Sequence, residues 1–124
     1  MITPDESLLY ICESGPQFAP DPHRRIRVFN VGSEGRTLSD GRDFHEINPG
    51  FADGIRCDEA GRIWSSATDG VHCISPEGKL LGKVLVPHLV SNLCFGGRNR
   101  SRLFICAGQR LFAIYTNTRG CALP

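Results

Sequence analysis

The run GFADGIRC, which begins at Gly50, places one aspartate where it could do chemistry. Asp53 stands just ahead of a short apolar strand, and Gly54 behind it lets the backbone bend sharply into that strand. A carboxylate so placed can serve a hard divalent cation such as Ca²⁺, Mg²⁺ or Zn²⁺ as one oxygen ligand, and can take a proton from water. The plainer alternative is an Asp-Gly turn dipeptide. The other candidates carry less. Asp58 and Glu59 open the turn DEAG and read as its cap or as solvated carboxylates. His23, His45, His72 and His88 are dispersed, and none neighbours a nucleophile motif, which leaves a hydrolytic triad without support. FGGRNR (95–100) lacks the strand–loop–helix setting of a phosphate loop.

The elements that must position Asp53 are all short strands. SLLYIC, RIRVFNV, GIRC, RIWSSA, GVHCIS, LLGKVLV, SNLCF, RLFICA and RLFAIY are rich in β-branched and aromatic residues and are separated by Gly, Pro, Asp and Asn. No segment holds a helical period, so the chain is expected to be all-β. The strands also repeat. LLYIC (8–12), RIWSS (62–66) and RLFIC (102–106) superimpose, which makes Tyr10, Trp64 and Phe104 equivalent. Ile74 and Ile114 follow the aromatic ten residues later, whereas the first copy reaches Phe29 only through the insertion SGPQFAPDPHRR, read as an extended loop. SEGRTL, PEGKLL and NTRGCAL resemble one another as a polar tip, a glycine and apolar residues. The glycines of TDG (68–70) and PEG (76–78) suit positive φ in tight hairpins.

A meander of short strands repeating every forty to fifty residues is the pattern of a β-propeller, whose four-stranded blades must stack to bury both faces. Here 124 residues suffice for two to three blades, expected over 1–50, 51–89 and 90–124. The fold expected is therefore a partial β-propeller, with the three aromatics packing between blades and strand edges left open. In such a ring the first strand of each blade lies nearest the axis. Asp53 and Ser91 would be equivalent there, both at the mouth of the channel.

Composition excludes other classes. Net charge is +1 and the arginines are scattered, so nothing gathers nucleic acid or an anionic membrane. The start MITPDESLLYIC lacks the positive charge of a signal peptide, and no run has membrane-spanning length, so a cytoplasmic protein is expected. Five of the six cysteines sit in or beside apolar strands without any Cys-x-x-Cys, and read as reduced packing residues. His72 and Cys73, adjacent on one strand, would point to opposite faces.

The stretch from Gly50 to Pro87, followed by SNLCFGGRNRSRLFICAGQRLFAIYTNTRG, resembles the C-terminal part of the gluconolactonase/senescence-marker-protein family, which includes regucalcin and luciferin-regenerating enzyme. The matching motifs are Ala52-Asp53-Gly54, Asp58-x-x-Gly61-x-x-Trp64, Asp69-Gly70-Val71, Pro76-x-Gly78 and Asn92 to Gly97. The resemblance implies a six-bladed propeller that binds one divalent metal (Ca, Zn, Mn or Mg) at its axis and hydrolyses sugar lactones such as gluconolactone. It implies that Asp53 is both metal ligand and base. The family's N-terminal glutamate ligand and the asparagine of its Pro-Asn-Gly motif have no counterpart here, and Ala52 stands where proline is usual. Glu13, in CES, takes the place of a commoner aspartate and reads as a loop carboxylate. A single carboxylate is a poor Ca²⁺ site, since that ion takes roughly six to eight oxygens. Weak or no metal binding and weak or no lactonase activity are expected of the chain alone, for want of N-terminal blades. The alternative is a non-enzymatic fragment or interaction module that self-associates through exposed blade edges.

Overall fold

The computed structural model describes residues 1–14, 23–32 and 34–122. It contains ten strands: β1 (Leu8–Glu13), β2 (Arg25–Val31), β3 (Leu38–Glu46), β4 (Ile55–Cys57), β5 (Ile63–Ala67), β6 (Gly70–Ile74), β7 (Leu80–Leu85), β8 (Val90–Gly96), β9 (Arg102–Ala107) and β10 (Arg110–Tyr115). They form three antiparallel meanders, β1-β2-β3, β4-β5-β6-β7 and β8-β9-β10. There is no helix among the described residues, and none therefore long and apolar enough to cross a membrane. The expected class holds: an all-strand, partial propeller.

The registers explain the repeat. Ile63 pairs with Ile74, Leu103 with Ile114, and Leu9 with Phe29, so the insertion in the first copy lengthens a connection and leaves the pairing intact. Residues 15–22, most of that insertion, lie outside the described residues. Gly70 and Gly78 adopt φ of 142° and 85°, as the two hairpins require. β3 escapes the sequence pattern because it is an outer strand. Most of LSDGRDFHE is exposed, so no apolar alternation marks it. Pairing to β2 holds it, reinforced by Arg25 Nη1 to Asp43 at 2.7 Å and Asn30 Nδ2 to Asp40 at 2.8 Å. NTRGCAL does not form a fourth strand in the third sheet. Its tail crosses to the second sheet instead, where Glu59 N donates to Arg119 O and Cys121 N to Cys57 O.

Two apolar layers lock the sheets together. Tyr10, Ile26 and Val28 of the first sheet meet Ile55, Cys57, Ile63 and Ile74 of the second. On the opposite side, Trp64 and Val71 meet Val90, Leu93, Leu103 and Ile105 of the third. Trp64 packs edge-to-face on Phe95 with ring centroids 5.7 Å apart, an arrangement that contributes roughly 1 kcal/mol beyond burial. Tyr10 and Trp64 thus pack between sheets as expected. Phe104 instead lies on the outer face of the third sheet, half-buried beneath the Arg102 guanidinium 5.1 Å away.

Of the two readings of Asp58 the turn cap holds and the solvated carboxylate is corrected, since the residue is wholly buried, with 0% exposure. Its oxygens accept from Ala60 N, Arg62 N, Arg62 Nε and Trp64 Nε1 at 2.7–3.0 Å. The motif Asp58-x-x-Gly61-x-x-Trp64 is therefore one connected unit, a tight turn whose carboxylate also fixes the tryptophan between sheets. The cysteines divide as well. Cys57 is buried, and Cys12, Cys73 and Cys121 are half-buried, but Cys94 and Cys106 are exposed on the outer face of the third sheet. That face and the outer edge of β10 leave Leu111 and Tyr115 67% and 80% exposed.

Candidate functional site

Asp53 is positioned by contacts made just before β4 begins. The buried hydroxyl of Ser66, on β5, accepts from Asp53 N at 2.9 Å and from Gly54 N at 3.1 Å. Ser66 N donates to Gly54 O at 2.9 Å, and Gly54 N also reaches Ser91 O at 3.1 Å. Gly54 is packed against Asn92, and a side chain at 54 would collide with the Asn92 amide and come within 2.8 Å of its Cα. Glycine is needed here for close approach. Asp53 and Ser91 consequently lie beside each other at the starts of adjacent inner strands.

The carboxylate of Asp53 is exposed and takes no hydrogen bond or ion pair among the described residues. It lines a cavity of about 700 Å³ bounded by the N-terminal segment, β1, β4 and β8, with Cys12, Arg56, Asn92 and Cys94 also in its wall. Burial pushes the Cys12 thiol up to about 11; the N-terminal ammonium opposes this, and the negative charge of Asp53 adds to it. Arg56 brings the cavity a guanidinium, tied by Nη1 to Ile55 O at 2.7 Å. Asn92 is exposed and accepts from its neighbour Leu93 N at 2.8 Å.

Two residues of this wall carry oxygens of the kind a divalent cation takes. Asp53 offers a carboxylate and Asn92 an amide oxygen, but no group of three or more His, Cys, Asp or Glu that could hold a metal occurs among the described residues. Such an ion would need further oxygens from outside them.

Glu13 does not join the site. It ends β1, and its carboxylate binds Arg25 Nε at 2.6 Å, an ion pair that holds it below the usual carboxylate range; it is a paired strand residue, not a loop carboxylate. His72 and Asp69 form a separate cluster. His72 is 1% exposed and contacts Asp69 Oδ1 through Nε2 at 2.8 Å, and Lys83 Nζ reaches Asp69 Oδ2 at 2.8 Å. Burial lowers the His72 pKa, with Asp69 opposing it only in part. Among the described residues its Nδ1 has no partner, as suits a neutral ring donating from Nε2. Cys73 turns to the opposite face, against the Trp64 layer. Sequence reasoning missed Ser66 and undervalued Asn92. The signal for Ser66 was its place in RIWSS, where the other two copies carry cysteine.

Stacked antiparallel meanders of three and four strands, whose edges border a cavity lined by an exposed carboxylate, define the class: part of a propeller. The SMP-30/Gluconolactonase/LRE-like region matches residues 1–109, and the chain belongs to that family. It is 32% identical over 130 residues to the gluconolactonase of Zymomonas mobilis, across 96% of this chain and 34% of that protein. A solved gluconolactonase from Xanthomonas campestris is 32% identical, with a TM-score of 0.78, over 92% of this chain and 35% of the other. The calcium-binding protein regucalcin from Agrobacterium tumefaciens, at 18% identity, shares the fold with a TM-score of 0.82 over 99% of this chain and 46% of the other. The chain thus spans about a third of the length of the curated relative.

Proposed function

We propose that the chain supplies the C-terminal blades, 1–50, 51–89 and 90–124, of a propeller that hydrolyses sugar lactones such as gluconolactone, with Asp53 as the working carboxylate. The observation that carries this reading is an exposed, unpaired Asp53 in a cavity walled by the inner strands, in a chain of this family. Asp53 takes the proton from a water as that water attacks the lactone carbonyl, and later returns it to the leaving alkoxide as the ring opens to the hydroxy acid. Arg56 offers a cation to the carboxylate product in the same cavity. A divalent metal held in part by Asp53 would, when bound, polarise the carbonyl. The remaining oxygens for that metal, and much of the grip on the sugar, are assigned to blades outside these residues. Six thiols without a disulfide support a reducing, cytoplasmic setting.

The test is gluconolactone hydrolysis by the chain with added Ca²⁺, Mn²⁺ or Zn²⁺, alongside calorimetric titration of Ca²⁺. Expected of the chain alone are weak or no Ca²⁺ binding, with a dissociation constant of about 1 mM or weaker as for sites with few charged ligands, and at most weak turnover that requires metal; whatever is measured of either is lost in Asp53→Ala. Turnover that survives EDTA, or Ca²⁺ binding indifferent to Asp53→Ala, would overturn the reading. A second reading is an interaction module that associates through its open faces, favoured by the exposed apolar side chains of Leu111, Tyr115 and Ile11 on the outer sheets. Light scattering separates the two: a dilution-stable monomer removes the module.

A further inference from the structure

The bend that carries Asp53 precedes β4, which begins at Ile55, and a single backbone bond, Ser66 N to Gly54 O at 2.9 Å, ties it to β5. Its neighbours reach other elements, Ala52 through burial in the first apolar layer and Gly54 through Ser91 O and Asn92. Among the described residues the backbone N–H of Asp53 has a single partner, the Ser66 hydroxyl at 2.9 Å. That hydroxyl also takes the second of two consecutive N–H groups, so both oxygen lone pairs face the bend. Ser66 is wholly buried at the end of β5, a strand with no exposed residue, and stands on a rigid support.

The three repeats supply an independent observation. Position 66 corresponds to Cys12 in the first copy and Cys106 in the third. In the third sheet Cys106 stands opposite Asn92, the counterpart of Gly54, and there Ser91 Oγ donates to the Cys106 backbone carbonyl at 3.3 Å. A thiol is a weak acceptor with a longer reach, and it could not draw two adjacent amides to about 3 Å. A hydroxyl therefore stands in the second copy, where the inner strand is preceded by a carboxylate, and a thiol in the third, where it is preceded by Ser91.

We propose that Ser66 is a positioning residue: its hydroxyl fixes the backbone bend that presents the Asp53 side chain to the axial cavity. The inference rests on the reading of Asp53 as the working carboxylate, but its first test does not. Amide hydrogen exchange of the ¹⁵N-labelled chain is compared with that of Ser66→Ala, Ser66→Cys and Ser66→Thr. In Ser66→Ala the Asp53 amide should exchange about tenfold faster, as expected for loss of a single hydrogen bond. Gly54, which keeps Ser91 O, and core amides such as Trp64 should change little; general destabilisation would move all of them together. Ser66→Cys should behave like Ser66→Ala, and Ser66→Thr, which keeps the hydroxyl, should restore protection. Mn²⁺ titration, read as paramagnetic broadening around Asp53, should weaken about fivefold in the alanine and cysteine variants and recover in the threonine one. Unchanged Asp53 exchange in Ser66→Ala, full protection in Ser66→Cys, or faster exchange with Mn²⁺ binding intact would each overturn the proposal. Absence of any Mn²⁺ effect that depends on Asp53 would instead sink the metal-site reading, with the amide data still deciding the role of the serine.

Discussion

Replacing Asp58 tests whether its buried carboxylate, rather than apolar contact alone, seats the tryptophan between the second and third sheets. In Asp58→Ala, Trp64 Nε1 loses its acceptor inside a packed layer, which costs about 1–3 kcal/mol. The amides of Ala60 and Arg62 lose theirs in a partly buried turn, at roughly 1 kcal/mol each. The Arg62 guanidinium is one-third exposed and turns to water, so its 2.7 Å ion pair adds only about 0.5 kcal/mol after solvent screening. The total is about 4 kcal/mol, a large share of the roughly 6–15 kcal/mol expected for a domain of this size. Asp58→Asn keeps one oxygen for part of the donor set and should cost about half as much. The assay is urea unfolding followed by the fluorescence of Trp64, the sole tryptophan, together with far-ultraviolet circular dichroism. With a slope near 2 kcal/mol/M, the midpoint should fall by about 2 M in Asp58→Ala and about 1 M in Asp58→Asn. Glu59→Ala, next to it but exposed, should stay within about 0.5 kcal/mol of the parent. An Asp58→Asn midpoint equal to the parent's, or a Glu59→Ala loss of the same size, would refute the reasoning.

Two further outcomes concern protons and thiols. Burial favours neutral His72 in the folded state, so its folded pKa lies below the ordinary 6.5. Over that interval the unfolded chain binds more protons, and stability should be full above pH 6.5 and decline as pH falls through the folded value. For Asp69, burial is outweighed by Lys83 and His72, and its pKa falls below 3.8. Its contribution is present above that value and is lost only at more acid pH. Urea midpoints between pH 7.5 and 5 should slope downward in the parent and less so in His72→Gln; equal slopes would remove His72 as the cause. Burial lifts the Cys57 thiol up to about 12, and Cys121 beside it adds to the effect. Exposed Cys94 and Cys106 should therefore titrate first with a disulfide reagent at pH 8, and Cys57 and Cys12 only after urea is added. Early labelling of Cys57, followed by mass spectrometry, would contradict the packing described.

The sequence alone determined what rests on local periodicity. Alternating apolar residues and hairpin glycines marked nine of the ten strands, and the recurrence of LLYIC, RIWSS and RLFIC revealed stacked meanders, because each sheet must bury the same inward-facing side chains. The Asp-Gly step ahead of GIRC singled out Asp53 for the same local reason. Only the tertiary structure decided what depends on a partner distant in sequence. β3 exists because β2 supplies hydrogen bonds and ion pairs to a polar segment, and such pairing leaves no apolar signature. Asp58 became an interior carboxylate because four donors converge on it, which a turn-like DEAG does not announce. Phe104 escaped burial because no sheet follows its own among the described residues, although its spacing matches that of Trp64. The cavity around Asp53 likewise arises where β1, β4 and β8, far apart along the chain, bring their inner edges together. A sequence can nominate a carboxylate, but its exposure and support are set by those non-local contacts.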